Sequence, residues 1–190
     1  VYRRINTSIS SIDSLFEHFN DKKDLLLCLS LRLGKNTTVQ SQYRQTTCPV
    51  PEKNIIVNNG EYVVWDWTKV PTNTNFGYPF SVDGHIYKTK RVLEMITYDF
   101  DTPNNLEKSD SFNRKTSPPF MARLDESVVV NDPINAVGSS KNKAGDVYGI
   151  ELSKLNKLFL SGQIIDLDAM DFSNVRGCHQ EIQYHFGSEK

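Results

Sequence analysis

The sequence predicts an α+β fold, mostly antiparallel β, in the form of a hairpin-rich sheet or sandwich with a short helix near each end. Leucine occupies every second position between residues 25 and 33, which is the spacing of one strand face. Apolar segments alternate with short turn sequences such as Asn59-Gly60, while helical spacing is found near the two ends. The 190 residues are expected to form a single domain over residues 1–190, because the composition shows no shift along the chain.

A short amphipathic helix is predicted first. Ile9, Ile12, Phe16 and Phe19 follow one another at spacings of three and four, so they share one helix face. Serines just before this stretch provide an N-cap, and the polar sequence NDKKD ends the helix. We therefore expect this helix to lie with its apolar side on the sheet.

The leucine-rich segment LLLCLSLRLG is predicted to be a strand. As a helix it would spread leucine around the whole cylinder, whereas as a strand it places the five alternate leucines on one apolar face. Burial of each leucine contributes about 2 kcal/mol, which outweighs a β-propensity deficit of roughly a few tenths of a kcal/mol per residue. A turn at residues 34–36 then leads to a polar partner strand at residues 37–47, which gives the first expected hairpin.

Apolar segments separated by turn residues predict further hairpins along the chain. Residues 55–57 and 61–67 flank Asn58-Asn59-Gly60, and an Asn-Gly pair supplies the positive φ angles of a tight hairpin turn. Residues from 80 onward predict a third hairpin, with a long or bent strand over residues 86–100. The remaining expectations are a long polar loop at 101–119, strands at 120–130, 147–152, 163–167 and 181–186, and a short helix over residues 152–159.

Composition limits the class of protein. The formal net charge is −1 and no run of about 18 apolar residues occurs, so neither a wholly basic surface nor a membrane-spanning helix is expected. The first residues lack an initiator Met and the apolar segment of a signal peptide, which favours a processed product or a fragment. Cys28, Cys48 and Cys178 are too widely spaced for a disulfide framework and are expected to be reduced.

Basic side chains form the best candidate site for an anionic partner. Arg3 and Arg4 lie near the beginning of the sequence, and Lys88, Lys90 and Arg91 lie in the predicted long strand. On that strand, Lys88 and Lys90 project from one face and Arg91 from the other. These residues are candidate contacts to nucleic acid, to a nucleoprotein or to an anionic membrane surface, with ordinary solvated charge as the alternative.

Four aromatic residues lie in and after the second hairpin, namely Trp65, Trp67, Phe76 and Tyr78. Trp65 and Trp67 share one face of the predicted strand. Packing in the core is the default interpretation of this group. A surface platform on which a sugar or a base stacks is the alternative.

One acidic motif resembles a catalytic site. Asp99 and Asp101, two residues apart after an apolar run, resemble the acid pair of the haloacid-dehalogenase phosphatases. The resemblance implies that one aspartate attacks phosphorus while the other moves a proton. Pro103 stands where that family has Thr or Val, and the later segments lack the alternation of β and α elements that the family requires.

The metal-binding motifs are incomplete, so we predict no metal, no cofactor and no catalytic residue. Residues 166–171 carry three aspartates but lack the Gly and the Glu of a calcium loop. Cys178, His179 and His185 offer zinc ligands without a Cys-x-x-Cys pair.

These observations predict a non-catalytic assembly protein, most plausibly a matrix or capsid subunit of a virion that self-associates into a homo-oligomer. The expected location is the virion or the host cytoplasm. Hairpins with free strand edges, long polar loops and scattered basic residues favour this interpretation. The alternative is a β-rich surface or extracellular module that binds carbohydrate, and the phosphatase comes third.

Overall fold

A computed structural model describes residues 12–20, 24–40, 46–96, 99–107, 115–132 and 147–188. The predicted α+β class is confirmed, with four α-helices, a five-stranded sheet and a two-stranded sheet in the described ranges. The helices are α1 (Ile12–Asn20), α2 (Thr89–Met95), α3 (Pro103–Glu107) and α4 (Leu152–Leu160). The strands are β1 (Leu26–Ser30), β2 (Ile55–Asn58), β3 (Tyr62–Asp66), β4 (His85–Tyr87), β5 (Phe120–Leu124), β6 (Gln163–Ile165) and β7 (Phe186–Ser188).

The five-stranded sheet has the order β2-β3-β5-β1-β4. Strands β1 and β5 are parallel, and the other neighbouring strands are antiparallel, as the prediction of a mostly antiparallel sheet requires. Helix α1 covers one face of this sheet. The turn segments after β3 cover the other, so that a core lies on each side.

Strand β1 is the predicted leucine strand, but its leucines do not share one face. The register with β5 shifts between Leu26 and Cys28, and such a bulge changes which face the following side chains occupy. Leu26 and Leu29 pack towards α1, whereas Leu27 packs with Trp65 on the opposite face. All five residues of β1 are buried, so the strand lies inside the molecule rather than turning one side to solvent.

The second predicted hairpin is confirmed as β2 and β3. Gly60 has φ +88° in the turn, a backbone conformation that glycine adopts without a Cβ clash. The side chain of Asn59 accepts hydrogen bonds from the backbone N–H groups of Glu61 and Tyr62, at 3.1 and 3.0 Å. The turn chemistry in the sequence therefore fixes this hairpin locally.

The first predicted hairpin is wrong, because the neighbours of β1 are β4 and β5 and not residues 37–47. Val39 instead makes isolated bridges to Thr47 and Gly177. The strand expected at 147–152 is also wrong, since residues 147 and 148 form a turn. At the first hairpin, pairing between strands that are distant in the sequence overrides the local turn signal. At residues 147 and 148, the backbone N–H groups bond to the side chain of Glu181 instead of to a strand.

The long strand predicted over 86–100 is wrong as well. Strand β4 ends at Tyr87 and α2 begins at Thr89, in a stretch rich in good helix formers. The helical turn places Lys88 and Arg91 three residues apart on one side, where both reach the carboxylate of Asp24. The attraction of both basic side chains to the carboxylate of Asp24 favours the helix over an extended chain.

The third predicted hairpin is wrong, because residues 80–82 form no strand and β4 pairs with β1. The strand predicted at 181–186 is found instead at Phe186–Ser188. Helix α3 lies within the predicted polar loop 101–119, of which residues 108–114 lie outside the described ranges. Helix α4 and the closing strands β6 and β7 are present, and β6 and β7 pair with each other in a small separate sheet. No helix in the described ranges is long and apolar enough to cross a membrane.

Candidate functional site

The most connected polar group in the described core is the carboxylate of Asp83. Its Oδ1 accepts hydrogen bonds from Arg32 Nη1 at 2.6 Å and from Ser81 Oγ, and its Oδ2 accepts from Asn131 Nδ2 at 2.9 Å and from His179 Nε2 at 3.4 Å. We call these five residues the Asp83 cluster. Burial alone would raise the pKa of Asp83, but the His179 hydrogen bond and the Arg32 charge outweigh burial and hold it far below its usual range.

The Asp83 cluster fits a structural role better than a catalytic one. Both carboxylate oxygens already have two donors, and Arg32 and Ser81 are buried. Glu107 also accepts a hydrogen bond from Ser81 Oγ, at 3.1 Å, so this hydroxyl is held between two carboxylates. The cluster holds together segments that are far apart in the sequence. The buried guanidinium of Arg32 requires a fixed anionic partner, and Asp83 provides it.

Cys28 is fully buried and lies beside the half-buried side chains of His85 and Tyr87. The Nδ1 atom of His85 lies 2.8 Å from Tyr87 Oη and 3.8 Å from Cys28 Sγ. Burial and the Arg32 charge lower the pKa of His85 well below its ordinary value, and burial raises the pKa of Cys28. A neutral imidazole beside a protonated thiol is not an activated nucleophile, so this contact serves packing.

The cysteines and the acidic motifs hold no metal in the described residues, where no group of three or more His, Cys, Asp or Glu side chains could bind an ion. Cys178 is buried, its Sγ donates to the carbonyl of Arg32 at 3.4 Å, and burial raises its pKa to about 11. Asp166 accepts hydrogen bonds from the N–H groups of Asp168 and Ala169, at 3.1 and 3.3 Å, and so caps a short turn. These contacts give the residues structural functions.

The acid pair that resembles the phosphatases follows a helix in the described residues. Asp99 and Asp101 are exposed, and the described element before them is α2, which ends at Met95. The resemblance implies a strand at this place, and residues 89–95 do not form one.

The predicted basic site is partly neutralised. Lys88 Nζ lies 2.7 Å from Asp24 Oδ1, and Arg91 Nη2 bonds to the other carboxylate oxygen. Lys90 is 91% exposed and lies 4.0 Å from Glu94. The expected distribution over two strand faces is wrong because these residues begin a helix. Arg3 and Arg4 lie outside the described residues.

The core contains Trp65, Trp67 and Phe76, as the default interpretation of the aromatic group expects, so these residues do not form the alternative surface platform. Trp65 and Trp67 are each 1% exposed, and Phe76 is fully buried. The indole N–H groups of Trp65 and Trp67 donate to the carbonyls of Phe76 and Pro118, at 3.0 and 2.8 Å. Tyr78 is half-buried, and burial raises its pKa to about 12. The chain after β3 folds back over the sheet and covers both indole rings, so no sugar or base can stack on them.

Exposed apolar side chains are concentrated near the end of the chain. In the described ranges, eight of the twelve large exposed hydrophobic residues lie between positions 147 and 167: Val147, Tyr148, Leu152, Phe159, Leu160, Ile164, Ile165 and Leu167. Phe159 is 72% and Leu160 74% exposed. We call the group formed by Leu152, Phe159, Leu160, Ile164, Ile165 and Leu167 the C-terminal apolar surface. Large apolar side chains exposed in such number on neighbouring elements are typical of interaction sites in folded proteins.

The C-terminal apolar surface belongs to α4, to β6, which packs beside that helix, and to the turn that begins at Leu167. None of the residues of α4 is buried, and all three residues of β6 are exposed. The inner side of α4 faces β7 across a groove of about 200 Å³, lined by Tyr148, Ile150, Leu155, Leu158, Tyr184 and Phe186, among others. The rings of Tyr184 and Phe186 stack with centroids 6.2 Å apart.

A buried carboxylate anchors the segment that leads into α4. Oε2 of Glu181, which is 3% exposed, accepts hydrogen bonds from the N–H groups of Val147 and Tyr148, both at 3.1 Å. Met170 and Val175 belong to a small apolar core with Val130 and Ile182. The segment before α4 is therefore fixed by Glu181, which is itself next to a residue of this core.

Charged side chains flank the C-terminal apolar surface. Lys154 and Lys157 are exposed on α4, and Asp166 and Asp168 are exposed just after β6. No ion pair joins either lysine to another residue in the described part of the chain. The sequence contained a signal for this surface, the consecutive apolar letters of LFL and II, but whether a partner element covers them depends on the tertiary structure.

No protein-family model matches this sequence, and no curated protein and no solved structure shows significant similarity to it.

Proposed function

We propose that this protein is a non-catalytic assembly protein, and that copies of it associate through the C-terminal apolar surface. The observation that carries the proposal is the gathering of large apolar side chains on α4 and β6, with Phe159 and Leu160 each more than 70% exposed. Removing such side chains from water is the main driving force of association between folded proteins.

Charge supports a second copy as the occupant of this surface. Lys154 and Lys157 lie on the helix side, and the exposed carboxylates of Asp166 and Asp168 lie at the end of the strand. A two-fold axis through the surface brings the basic side of each copy towards the acidic side of the other, because the same patch meets itself. The net charge of −1 leaves little repulsion between whole copies.

The wider role proposed for such assembly is that of a matrix or capsid subunit in the virion or the host cytoplasm. The same proposal includes contact with nucleic acid, a nucleoprotein or an anionic membrane through Lys90, Arg3 and Arg4. Lys90 supports this part, since its side chain is 91% exposed and its Nζ lies as far as 4.0 Å from the carboxylate of Glu94.

Sedimentation velocity over a range of protein concentrations tests the self-association. We expect the native chain to form a dimer or larger species as concentration rises, and the Phe159→Ser, Leu160→Ser double variant to dissociate at least tenfold more readily. Leu93→Ser is the matched control, because Leu93 is 67% exposed on α2, away from this surface. A native chain that stays monomeric at high concentration and low salt contradicts the proposal, and so does equal weakening by Leu93→Ser.

A further inference from the structure

Strand β6 has one edge that no strand in the described ranges covers. It pairs with β7 on one side only, and these two strands make up the small sheet. Two-stranded sheets are marginal by themselves in water, and open edges are templates for pairing with another chain. The three residues Gln163, Ile164 and Ile165 are all exposed, which leaves room for a neighbour at this edge.

The orientation of the backbone groups of β6 follows from one hydrogen bond. The N–H of Asp166 donates to the carbonyl of His185 at 2.8 Å, so Asp166 turns its N–H towards the β7 side. Because N–H groups alternate between the two edges of a strand, Ile164 also faces β7, whereas Gln163 and Ile165 direct their N–H and C=O groups to the open edge. The outward groups therefore belong to two residues that flank Ile164 symmetrically.

This arrangement is self-complementary. If two copies of β6 approach antiparallel about a two-fold axis, Gln163 of each copy lies opposite Ile165 of the other. Each of these two pairs exchanges two N–H···O bonds, and Ile164 meets its own counterpart on the axis in a non-hydrogen-bonded pair. Four backbone hydrogen bonds then form between the two copies, and each N–H and C=O group of Gln163 and Ile165 has a partner.

We infer, on the basis of the self-association proposed above, that two copies pair β6 with β6 about a two-fold axis and form a continuous four-stranded sheet. Addition of a strand supplies main-chain hydrogen bonds, and the exposed side chains of α4 beside the strand supply apolar burial. This register also places Asp166 of each copy opposite residue 162 of the other, close to the last turn of α4, which carries Lys157.

Cross-linking at Ile164 tests the inferred register. In a non-hydrogen-bonded antiparallel pair the Cα atoms are about 4.5 Å apart, within the range of roughly 4.4 to 6.8 Å that a disulfide spans. We expect Ile164→Cys to give a disulfide-linked dimer under mild oxidation, at several times the rate of the control. Ile56→Cys is that control, because Ile56 is 50% exposed on β2, an edge strand of the large sheet, and Ile164 is 45% exposed.

A proline scan of the edge is the second test. Ile165→Pro removes an outward N–H and leaves the hydrogen bonds to β7 in place, so we expect a loss of at least tenfold in dimer affinity. Ile165→Val keeps the backbone donor and is expected to associate like the native chain. Gln163→Pro removes the other outward donor and substitutes for Ile165→Pro if circular dichroism shows that the latter has unfolded.

The outcomes of these tests distinguish a failure of the β6 pairing from a failure of the proposed self-association. If the native chain associates and the Phe159→Ser, Leu160→Ser variant does not, but Ile164→Cys cross-links no faster than Ile56→Cys, the pairing of β6 is wrong while self-association stands. Unchanged affinity in both proline variants also overturns the pairing. A native chain that never associates overturns both.

Discussion

Strands β1 and β6 are both rich in aliphatic side chains, yet their surroundings are opposite. All five residues of β1 are buried, and all three residues of β6 are exposed. Strand β1 has β5 on one edge and β4 on the other, with side chains packed over both faces, whereas β6 has only β7 beside it in the described chain. Aliphatic content thus does not determine burial, and the strand without a second neighbour is the one whose apolar side chains face water.

The core and the region around β6 also differ in the exposure of their charged side chains. The core encloses Arg32 at 3% exposure and supplies it with the carboxylate of Asp83, whereas the ionised groups around β6 are exposed. A buried charged side chain requires an oppositely charged group at hydrogen-bond distance inside the protein. Exposed charged side chains contribute instead to the choice of a binding partner. The core therefore encloses its charge as an ion pair, whereas the exposed charges beside the C-terminal apolar surface support the interface proposed there.

The largest expected effect of a single substitution is in the Asp83 cluster. Asp83→Ala leaves the Arg32 guanidinium buried without its anion, and we expect the free energy of unfolding to fall by about 3 to 5 kcal/mol. Asp166→Ala, in the C-terminal region, removes only a cap and is expected to cost about 0.5 to 2 kcal/mol. Urea unfolding of both variants provides the measurement, and losses of equal size would remove the distinction between the two regions.

Truncation of one aliphatic side chain in each strand compares β1 and β6 directly. Leu29→Ala opens a cavity at a fully buried position and is expected to lower the free energy of unfolding by about 2 to 5 kcal/mol. Ile164→Ala is expected to change it by no more than about 0.5 kcal/mol in the monomer. Denaturant titrations at a protein concentration below that of association measure both, and a large loss for Ile164→Ala would show that β6 belongs to the core.

Acid is expected to weaken the core through His85. Burial and the Arg32 charge hold the folded-state pKa of His85 well below 6.5, so the unfolded chain binds the proton first as the pH falls. This contribution to stability is complete above pH 6.5 and is lost below it, with a slope approaching about 1.4 kcal/mol per pH unit. Urea unfolding at pH 7.5, 6 and 5 measures the slope for the native chain and for His85→Gln. An equal slope in both chains would contradict the assignment to His85.

A small loss of stability is expected when the ion pairs from Asp24 to Lys88 and Arg91, two residues of the predicted basic site, are removed. Asp24→Asn keeps a residue type that tolerates the positive φ of 55° at this position, but it removes the charge that Lys88 and Arg91 share. We expect stability to fall by less than about 1 kcal/mol and binding to anionic vesicles to strengthen at low salt. Vesicle co-sedimentation measures this, and unchanged binding would argue against an anionic partner here.

The sequence predicted the features that local chemistry determines. The β2–β3 hairpin follows from Asn59 and Gly60, and α4 follows from apolar residues at spacings of three and four. The strand conformation of the leucine segment was also predictable, because five leucines at alternate positions favour it over a helix. These features depend on residues that lie within one element or one turn.

The rest depends on contacts between distant residues. Cys28 pairs with Tyr87 on one edge of β1 and with Met121 on the other, and no local pattern identifies those partners. The bulge that splits the leucines between two faces is likewise set by the register with β5. The sequence shows the aspartate and histidine of the Asp83 cluster only as separate motifs, and it marks Trp65 as aromatic without showing that the following turn covers it.

Hydrogen exchange of the native chain at low and high protein concentration measures the central contrast most directly. If copies associate through the C-terminal apolar surface, peptides covering residues 159–165 gain protection as concentration rises, while those covering residues 26–30 keep the same protection. Protection of residues 159–165 that stays constant while larger species form would contradict the account, because the association would then use another surface.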